Sequence, residues 1–382
     1  MVCQPTRRLS RMVNNKRIFV CCLCLALVAV ALFIMQPYDS YYAYSGRFGS
    51  LGKGTNRDTF DFMSRRQLFS VGLSGSNRSK TWEDEQAFRK KLVSDTCQAV
   101  RKRSKGIYPR LVYNLTKAHD DHLLKFLLVV DSLKTVYCYV PKVGTTSWKR
   151  LVLFLEGKVN STDEVGQKKT HNLTNIFIRN LNSFTLEEVT KVLASYKKFL
   201  FVRNPFERIL SAYQDKFQND YPASTVFRRI WSERIIRYSS SDQTEALPGG
   251  KRRSDGTLNV SFPEFARFVG ESLDSGVHNS RNEHWMEVYR LCHPCAIEYD
   301  WIGHYESMQT DANKILRAVG VDPAVKFPNF TTNPTDSSSY STLQRYYSQL
   351  STDDIVAVYK KYFLDFFMFG YDIPSPIKLI MD

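Results

Sequence analysis

Two stretches of this chain repeat one layout: a short β-branched or aromatic run, a turn of small residues or proline, and a run with helical spacing. The first is Leu133–Val140 (LKTVYCYV), then Pro141–Ser147 (PKVGTTS), then Trp148–Glu156 (WKRLVLFLE). The second is Phe199–Val202 (FLFV), then Arg203–Arg208 (RNPFER), then a helical run from Ile209 to about Phe217. Between them Thr185-Leu-Glu-Glu188 has the form of a capping box that opens a helix running to about Ser195. Strands alternating with helices predict an α/β domain around a mainly parallel sheet, because parallel neighbours need a crossover that a helix supplies. Further on, Thr352–Tyr371 reads as a capped helix running into an aromatic core segment, YFLDFFMFGY.

The N-terminus places that domain. Ile18–Met35 (IFVCCLCLALVAVALFIM) holds no charge, Pro or Gly. As a helix it spans about 27 Å, the hydrocarbon thickness of an endoplasmic reticulum bilayer. Arg7, Arg8, Arg11, Lys16 and Arg17 precede it without an acidic residue, which predicts that this short side stays in the cytosol. A cleaved signal peptide is the alternative. Its apolar region is shorter and ends in a small-x-small site, whereas Met35, Gln36, Pro37 and Tyr38 follow here. The expected layout is a cytosolic tail over 1–17, a transmembrane signal anchor over 18–35, a luminal stem over 36–107 and a catalytic domain over 108–382. Within the stem, Trp82 to about Lys105 reads as a basic helix.

Lys plus Arg number 53 and Asp plus Glu 38, a net charge of +15, of which the tail holds +5 and the luminal part the remaining +10. Such an excess favours a polyanionic partner. In the secretory lumen that means an acidic glycan or an anionic nucleotide donor rather than nucleic acid. Six Asn-x-Ser/Thr sequons, at Asn77, Asn114, Asn160, Asn172, Asn259 and Asn329, agree with a luminal glycoprotein. Cys97, Cys138, Cys292 and Cys295 are read as structural luminal cysteines. Four cysteines allow three full pairings, and the sequence does not choose among them. Cys292-His-Pro-Cys295 has no second ligand pair for a zinc site.

The turn Pro141–Ser147 has the parts of an anion cradle. Gly144 admits close backbone approach, Thr145, Thr146 and Ser147 carry hydroxyls, and the following helix offers free N–H groups and its positive dipole end. Lys142 adds a mobile cation, but it precedes the Gly, so the turn is not a Walker A loop. Arg203 ends the second strand and Ser211 lies two helical turns on; together they fit a terminal phosphate monoester.

On the segments YVPKVGTTSWKR (139–150), FLFVRNPFERILSAYQDKF (199–217), NEHW (282–285), LCHPCAIEYDWIG (291–303) and DFFMFGYDIPS (365–375), the chain resembles the Golgi carbohydrate sulfotransferases. Within them it is similar to the group of the chondroitin and dermatan 4-O-sulfotransferases and the HNK-1 sulfotransferase. The resemblance implies a P-loop-NTPase-like sulfotransferase fold with a central mainly parallel sheet. It implies a single-pass type II protein of the Golgi membrane with its catalytic domain in the lumen. It also implies that the donor is 3′-phosphoadenylyl sulfate (PAPS). Lys142, Val143, Gly144, Thr145, Thr146, Ser147 and Trp148 then correspond to the 5′-phosphosulfate loop, and Arg203 and Ser211 to the 3′-phosphate motif. Thr145 stands where many relatives carry Cys, Ser147 where they carry Asn, and Asn204 where some carry Glu.

Sulfuryl transfer is an in-line displacement with charge building on the leaving oxygen, and Lys142 is the expected catalytic cation. The acceptor hydroxyl needs a base. His171, between the two motifs, is the first expectation, with His284 and Glu283 as rivals. The chemistry requires no metal, since the lysine and the helix dipole supply positive charge. The acceptor implied is a glycosaminoglycan, at the 4-hydroxyl of N-acetylgalactosamine, with Lys168, Lys169 and the Lys251–Arg253 cluster as candidate grips for its carboxylates. A non-catalytic luminal glycan-binding protein with the same fold remains the alternative, and a luminal kinase is disfavoured because no strand is followed by a persuasive metal-binding carboxylate. The sequence leaves self-association open.

Overall fold

The computed structural model describes residues 81–103, 123–239, 252–271, 282–328 and 335–381. The expected tail, anchor and the stem up to residue 80, the domain start near Tyr108, most of the 239–255 loop with Lys251, and the sequons at Asn77, Asn114 and Asn329 lie outside the described residues. Among the described residues no helix is long and apolar enough to cross a membrane.

The elements in chain order are α1 (Trp82–Arg103), β1 (Leu127–Val130), β2 (Thr135–Cys138), α2 (Thr145–Leu155), α3 (Gln167–Phe177), α4 (Leu186–Ser195), β3 (Lys197–Val202) and α5 (Pro205–Tyr213). A π-helical turn, Gln214–Gln218, extends α5. Then come α6 (Pro222–Ser239), α7 (Phe262–Glu271), α8 (Val288–Cys292), β4 (Trp301–His304), α9 (Met308–Ala318), α10 (Tyr340–Tyr347), α11 (Thr352–Met368) and α12 (Ser375–Met381). The four strands form one sheet in the order β1-β2-β3-β4. β2 pairs with β3 in parallel, Cys138 opposite Leu200, and β3 pairs with β4 in parallel, Val202 opposite His304. β1, which no periodicity in the sequence singles out, runs antiparallel to β2, so the sheet is mixed at one edge.

β2 and β1 are buried along their whole length, which is why the sequence shows apolar runs there rather than alternation. The expected capping box is present, the Thr185 side chain accepting from the Glu188 N–H, and α11, expected as a capped helix, opens on a second one, in which Ser351 accepts from the Asp354 N–H. The aromatic segment at the end of α11 is helical up to Met368 and leaves the helix at Phe369, and Tyr362, Phe366 and Met368 are core residues. One apolar cluster surrounds the sheet, α2 and α9; a second lies under α5, α7, α10 and α11. Trp285 is fully buried in the second, edge-on to Phe227, Trp231, Phe265 and Phe268.

Helix α1 corrects the expected stem boundary at residue 107. It is part of the folded domain, because it finishes the sheet edge. The Gln86 side chain accepts from the Ile302 N–H at 2.9 Å and donates to the Ile302 carbonyl at 3.2 Å, so it stands in for a neighbouring strand on β4. Arg89 donates to the same carbonyl at 2.8 Å and to Asp311 at 2.8 Å, and Trp82 Nε1 also donates to Asp311. The cysteines pair as Cys97–Cys295 and Cys138–Cys292. The two cysteines of Cys292-His-Pro-Cys295 thus bond to different elements, α1 and β2, and not to each other.

Candidate active site

In a parallel sheet the loops at the carboxyl ends of neighbouring strands emerge side by side, the usual place for a ligand crevice. Here that edge brings Pro141–Gly144 from β2, Arg203–Asn204 from β3 and Tyr305–Met308 from β4 together. The first two are 61 residues apart, and Arg203 Nη1 donates to the Lys142 carbonyl at 3.3 Å.

Two residues of the turn after β2 have positive φ, Lys142 at 70° and Gly144 at 66°. Gly144 is the residue before α2, and a Cβ there would lie 2.9 Å from Met308 Cε. With this geometry the first N–H groups of α2 face the crevice without intrahelical acceptors. The side chains of the loop divide differently from the sequence expectation. Val143 is buried core. The Thr145 hydroxyl donates to the Val140 carbonyl, so its contribution to an anion is its N–H. Trp148 turns inward: its ring is 1% exposed among Tyr137, Phe199, Phe201 and Phe327, and its backbone N–H donates to the Gly144 carbonyl. The buried ring fixes α2 onto the sheet.

Lys142 Nζ lies 3.1 Å from Asp215 Oδ2, and Lys216 Nζ lies 3.1 Å from the same oxygen. Burial lowers the Lys142 ammonium to about 8, with Asp215 opposing. Burial also works against the Asp215 charge, yet the two ammonium groups outweigh it and hold the carboxyl below its usual range.

The Arg203 guanidinium lies 4.1 Å from the Tyr305 ring centre, and its Nη2 donates to Ser337 at 2.9 Å and Ser338 at 2.7 Å. Ser211 and Thr335 hydroxyls are 3.0 Å apart, and Thr335 and Ser337 are likewise 3.0 Å apart. Arg203 and Ser211 are therefore brought together, as expected, and the hydroxyls of 335–338 join them. Asn204 caps α5, its side chain accepting from the Phe206 N–H at 3.1 Å.

Sequence reading missed Arg208 and Asp215. Arg208 is 1% exposed and donates to three carbonyls: Pro141 at 3.0 Å, Met286 at 2.7 Å and Glu283 at 3.0 Å. It ties the phosphate turn to the Asn282–Trp285 segment. Arg208, Ser211 and Asp215 stand at i, i+3 and i+7, one polar stripe along the helix, and that spacing is the signal that could have found them.

Both histidines belong to this region. His284 Nδ1 is 2.7 Å from Asn282 Oδ1, which also accepts the His284 N–H at 3.0 Å. Accepting a backbone N–H identifies that Asn282 atom as the oxygen, so His284 Nδ1 carries the proton and Nε2 the lone pair. Burial first, then Lys216 and Lys142, keep this ring neutral far below its ordinary range. His171 Nδ1 instead faces the Lys149 ammonium at 3.4 Å, which engages its lone pair. Burial and then Lys149 lower His171 to about 4. Glu283 raises Lys149 against a burial effect that brings it to about 8. Lys168 and Lys169 lie on the same helix as His171. Among the described residues no group of His, Cys, Asp or Glu could hold a metal.

Residues 126–372 match the sulfotransferase family. The chain belongs to that family. It is 36% identical over 296 residues to carbohydrate sulfotransferase 11 of Rattus norvegicus, covering 76% of this chain and 77% of the relative. It is 36% identical to carbohydrate sulfotransferase 14 of Homo sapiens over 270 residues, 71% of this chain and 66% of the relative. Against carbohydrate sulfotransferase 9 of Homo sapiens the identity is 30% over 305 residues, 79% of this chain and 63% of the relative. No solved structure matches. As a carbohydrate sulfotransferase the chain is an enzyme, and its chemistry is sulfuryl transfer to a glycan. The family match starts at Phe126 and includes every site residue described above. The helix α1 that closes the sheet of this sulfotransferase lies ahead of that match.

Proposed function

We propose that this sulfotransferase moves the sulfuryl group of PAPS to the 4-hydroxyl of N-acetylgalactosamine in chondroitin or dermatan, in the Golgi lumen, from a type II membrane anchor at residues 18–35. The observation that carries the donor is the meeting of two anion sites on one sheet edge: the N–H groups and Lys142 after β2, and the Arg203–Ser211 pair after β3. Two such sites suit a nucleotide with phosphate at both the 5′ and 3′ positions. The 3′ contact then separates PAPS from ATP-like nucleotides.

In this reading the N–H groups of Gly144 to Ser147 hold the 5′-phosphosulfate, and Arg203 and Ser211 hold the 3′-phosphate. The acceptor oxygen attacks sulfur as the bond from sulfur to the bridging oxygen breaks, and the electron pair leaves with adenosine 3′,5′-bisphosphate. The Lys142 ammonium meets the charge on that oxygen. The hydroxyl proton goes to a histidine. His171 is the first expectation from sequence; His284 is better placed for the task, because Asn282 orients it with Nε2 as acceptor while Lys149 engages the corresponding lone pair of His171.

Transfer of radiolabelled sulfate from PAPS to desulfated chondroitin, dermatan, heparan and N-glycan acceptors, followed by disaccharide analysis, tests the reading. The expected product is 4-sulfated N-acetylgalactosamine. Label on another hydroxyl or another glycan overturns the acceptor assignment; nucleotide binding with transfer to none of the glycans favours a binding module.

A further inference from the structure

A crevice built to receive a polyanion contains a buried carboxylate. Asp215 is 4% exposed, and its Oδ2 is shared by Lys142 Nζ and Lys216 Nζ at 3.1 Å each. Set beside a phosphosulfate, a carboxylate repels the ligand, and alone it would cost affinity. Its placement is nonetheless specific. Asp215 follows Ser211 by four residues and so shares the helix face that carries the 3′-phosphate hydroxyl. It sits in the π-helical turn that ends α5, where an extra residue per turn re-aims side chains. That turn is anchored from outside, since the Ser224 hydroxyl donates to the Asp215 carbonyl at 2.6 Å.

Lys142 explains the need. It extends from a residue with φ of 70°, on a long side chain with many rotamers, into a place with little water. Without an anion beside it, its ammonium has two escapes: loss of the proton, or rotation toward solvent. Either would leave the enzyme without its cation when donor arrives. We propose that Asp215 is a positioning residue that holds and aims the Lys142 ammonium in the resting site, with Lys216 as the counter-cation that keeps the carboxylate in place. The inference rests on the reading of Lys142 as the group that meets the leaving oxygen.

The charged and titratable groups around this pair come from every neighbouring element. Arg203 stands at the end of β3, Lys216 in the π turn and Arg208 on α5. His284 comes from the Asn282–Trp285 segment, His171 from α3, and Lys149 from α2 with Glu283 beyond it. Asp215 is the carboxylate in hydrogen-bond contact with Lys142, and the other near neighbours of Lys142 are cations that push its proton off.

The test is the pH dependence of kcat and KM for the luminal enzyme with PAPS and chondroitin, in wild type, Asp215→Asn and Asp215→Glu, with the Lys142 titration followed by NMR of carbon-labelled lysine. The Lys142 signal is assigned by its loss in Lys142→Arg. Asp215→Asn is expected to lower kcat by about tenfold with KM for acceptor nearly unchanged, and to move the alkaline limb and the Lys142 titration down by about one pH unit. A folded Asp215→Asn enzyme with wild-type kcat and an unmoved Lys142 titration overturns the proposal, as does a lower kcat with an unmoved titration, which marks a packing role. If Asp215→Asn does not fold, Asp215→Glu decides: it keeps the charge, so the alkaline limb stays, while kcat falls severalfold because Lys142 is re-aimed. Wild-type kcat in Asp215→Glu overturns the positioning role. Absence of sulfuryl transfer in the wild type is a failure of the proposed function, and the Lys142 titration then tests the Asp215 inference by itself.

Discussion

Arg208 Nε donates to the Pro141 carbonyl at 3.0 Å, across 67 residues of chain. The same buried guanidinium reaches the Glu283 and Met286 carbonyls, so one side chain sets the distance between the phosphate turn and the segment that carries His284. Lysine has the charge but a single nitrogen, and it cannot span three carbonyls. Arg208→Lys is expected to destabilise the fold by about 2–3 kcal/mol, from buried carbonyls left without donors. It is also expected to lower kcat/KM for PAPS at least about tenfold at temperatures where the protein is folded. Thermal denaturation and initial rates measure the two effects; an unaltered kcat/KM would show that the turn holds its place without Arg208.

Gly144→Ala probes the other side of the turn. The residue has φ of 66°, and the added methyl would meet Met308 Cε at 2.9 Å. Met308 is a flexible side chain and can yield, so the backbone is the larger cost, about 1 kcal/mol. The activity loss is expected to exceed the stability loss, since any shift in φ swings the N–H groups of Thr145 and Thr146 away from a common point. Affinity for adenosine 3′,5′-bisphosphate by calorimetry is expected to fall, while the melting temperature moves by only a few degrees.

The pH profile follows from two groups with opposite requirements. Lys142 must be protonated, and burial brings it to about 8, so activity falls as pH rises through about 8. The base must be neutral, and both candidate rings are lowered, His171 to about 4 and His284 well below its ordinary value. Activity is therefore expected to be level through the acid-to-neutral range, without an inflection near the ordinary histidine value. His284→Ala is expected to lower kcat by at least about a hundredfold, and His171→Ala by about tenfold or less. The reverse order returns the base to His171.

The disulfide Cys97–Cys295 closes 198 residues of chain and fastens α1 to the turn between α8 and β4. Removing a native disulfide costs about 2–5 kcal/mol. Cys97→Ser is expected to lower the melting temperature and to expose α1 to proteolysis, because the hydrogen bonds of Trp82, Gln86 and Arg89 and the packing of Val93 and Val100 then hold it without a covalent tie. Intact α1 under limited trypsin would show that those non-covalent contacts suffice.

Much of the fold was legible. The two strand–turn–helix units, the capping box at Thr185 and the helix from Thr352 rest on local chemistry: β-branched runs, small-residue turns, and a hydroxyl three residues ahead of an acid. β1 was not, because four buried residues, LLVV, carry no periodicity that separates a strand from a helix. The domain boundary before α1 was missed for a similar reason. A basic helix in a polar stretch reads as solvated, and its partners, Ile302 and Asp311, lie more than two hundred residues away.

In the site the division is the same. Lys142, Gly144, Arg203 and Ser211 stand out from sequence because a phosphate turn demands residue types at fixed local spacing. Trp148 belongs to the same string of letters, yet its ring turns into the core, since a helix that presents its N-terminus to a ligand must put its next face on the sheet. Sequence alone determined the two strand–turn–helix units of an α/β scaffold, with Lys142, Gly144, Arg203 and Ser211 placed at their turns and helix starts. Only the tertiary structure decided the cysteine pairing, the placing of Arg208 between two distant loops, and the carboxylate beside Lys142. Each of these is a contact between residues far apart in the chain, and no local pattern encodes which distant partner the closing of the sheet brings within three ångströms.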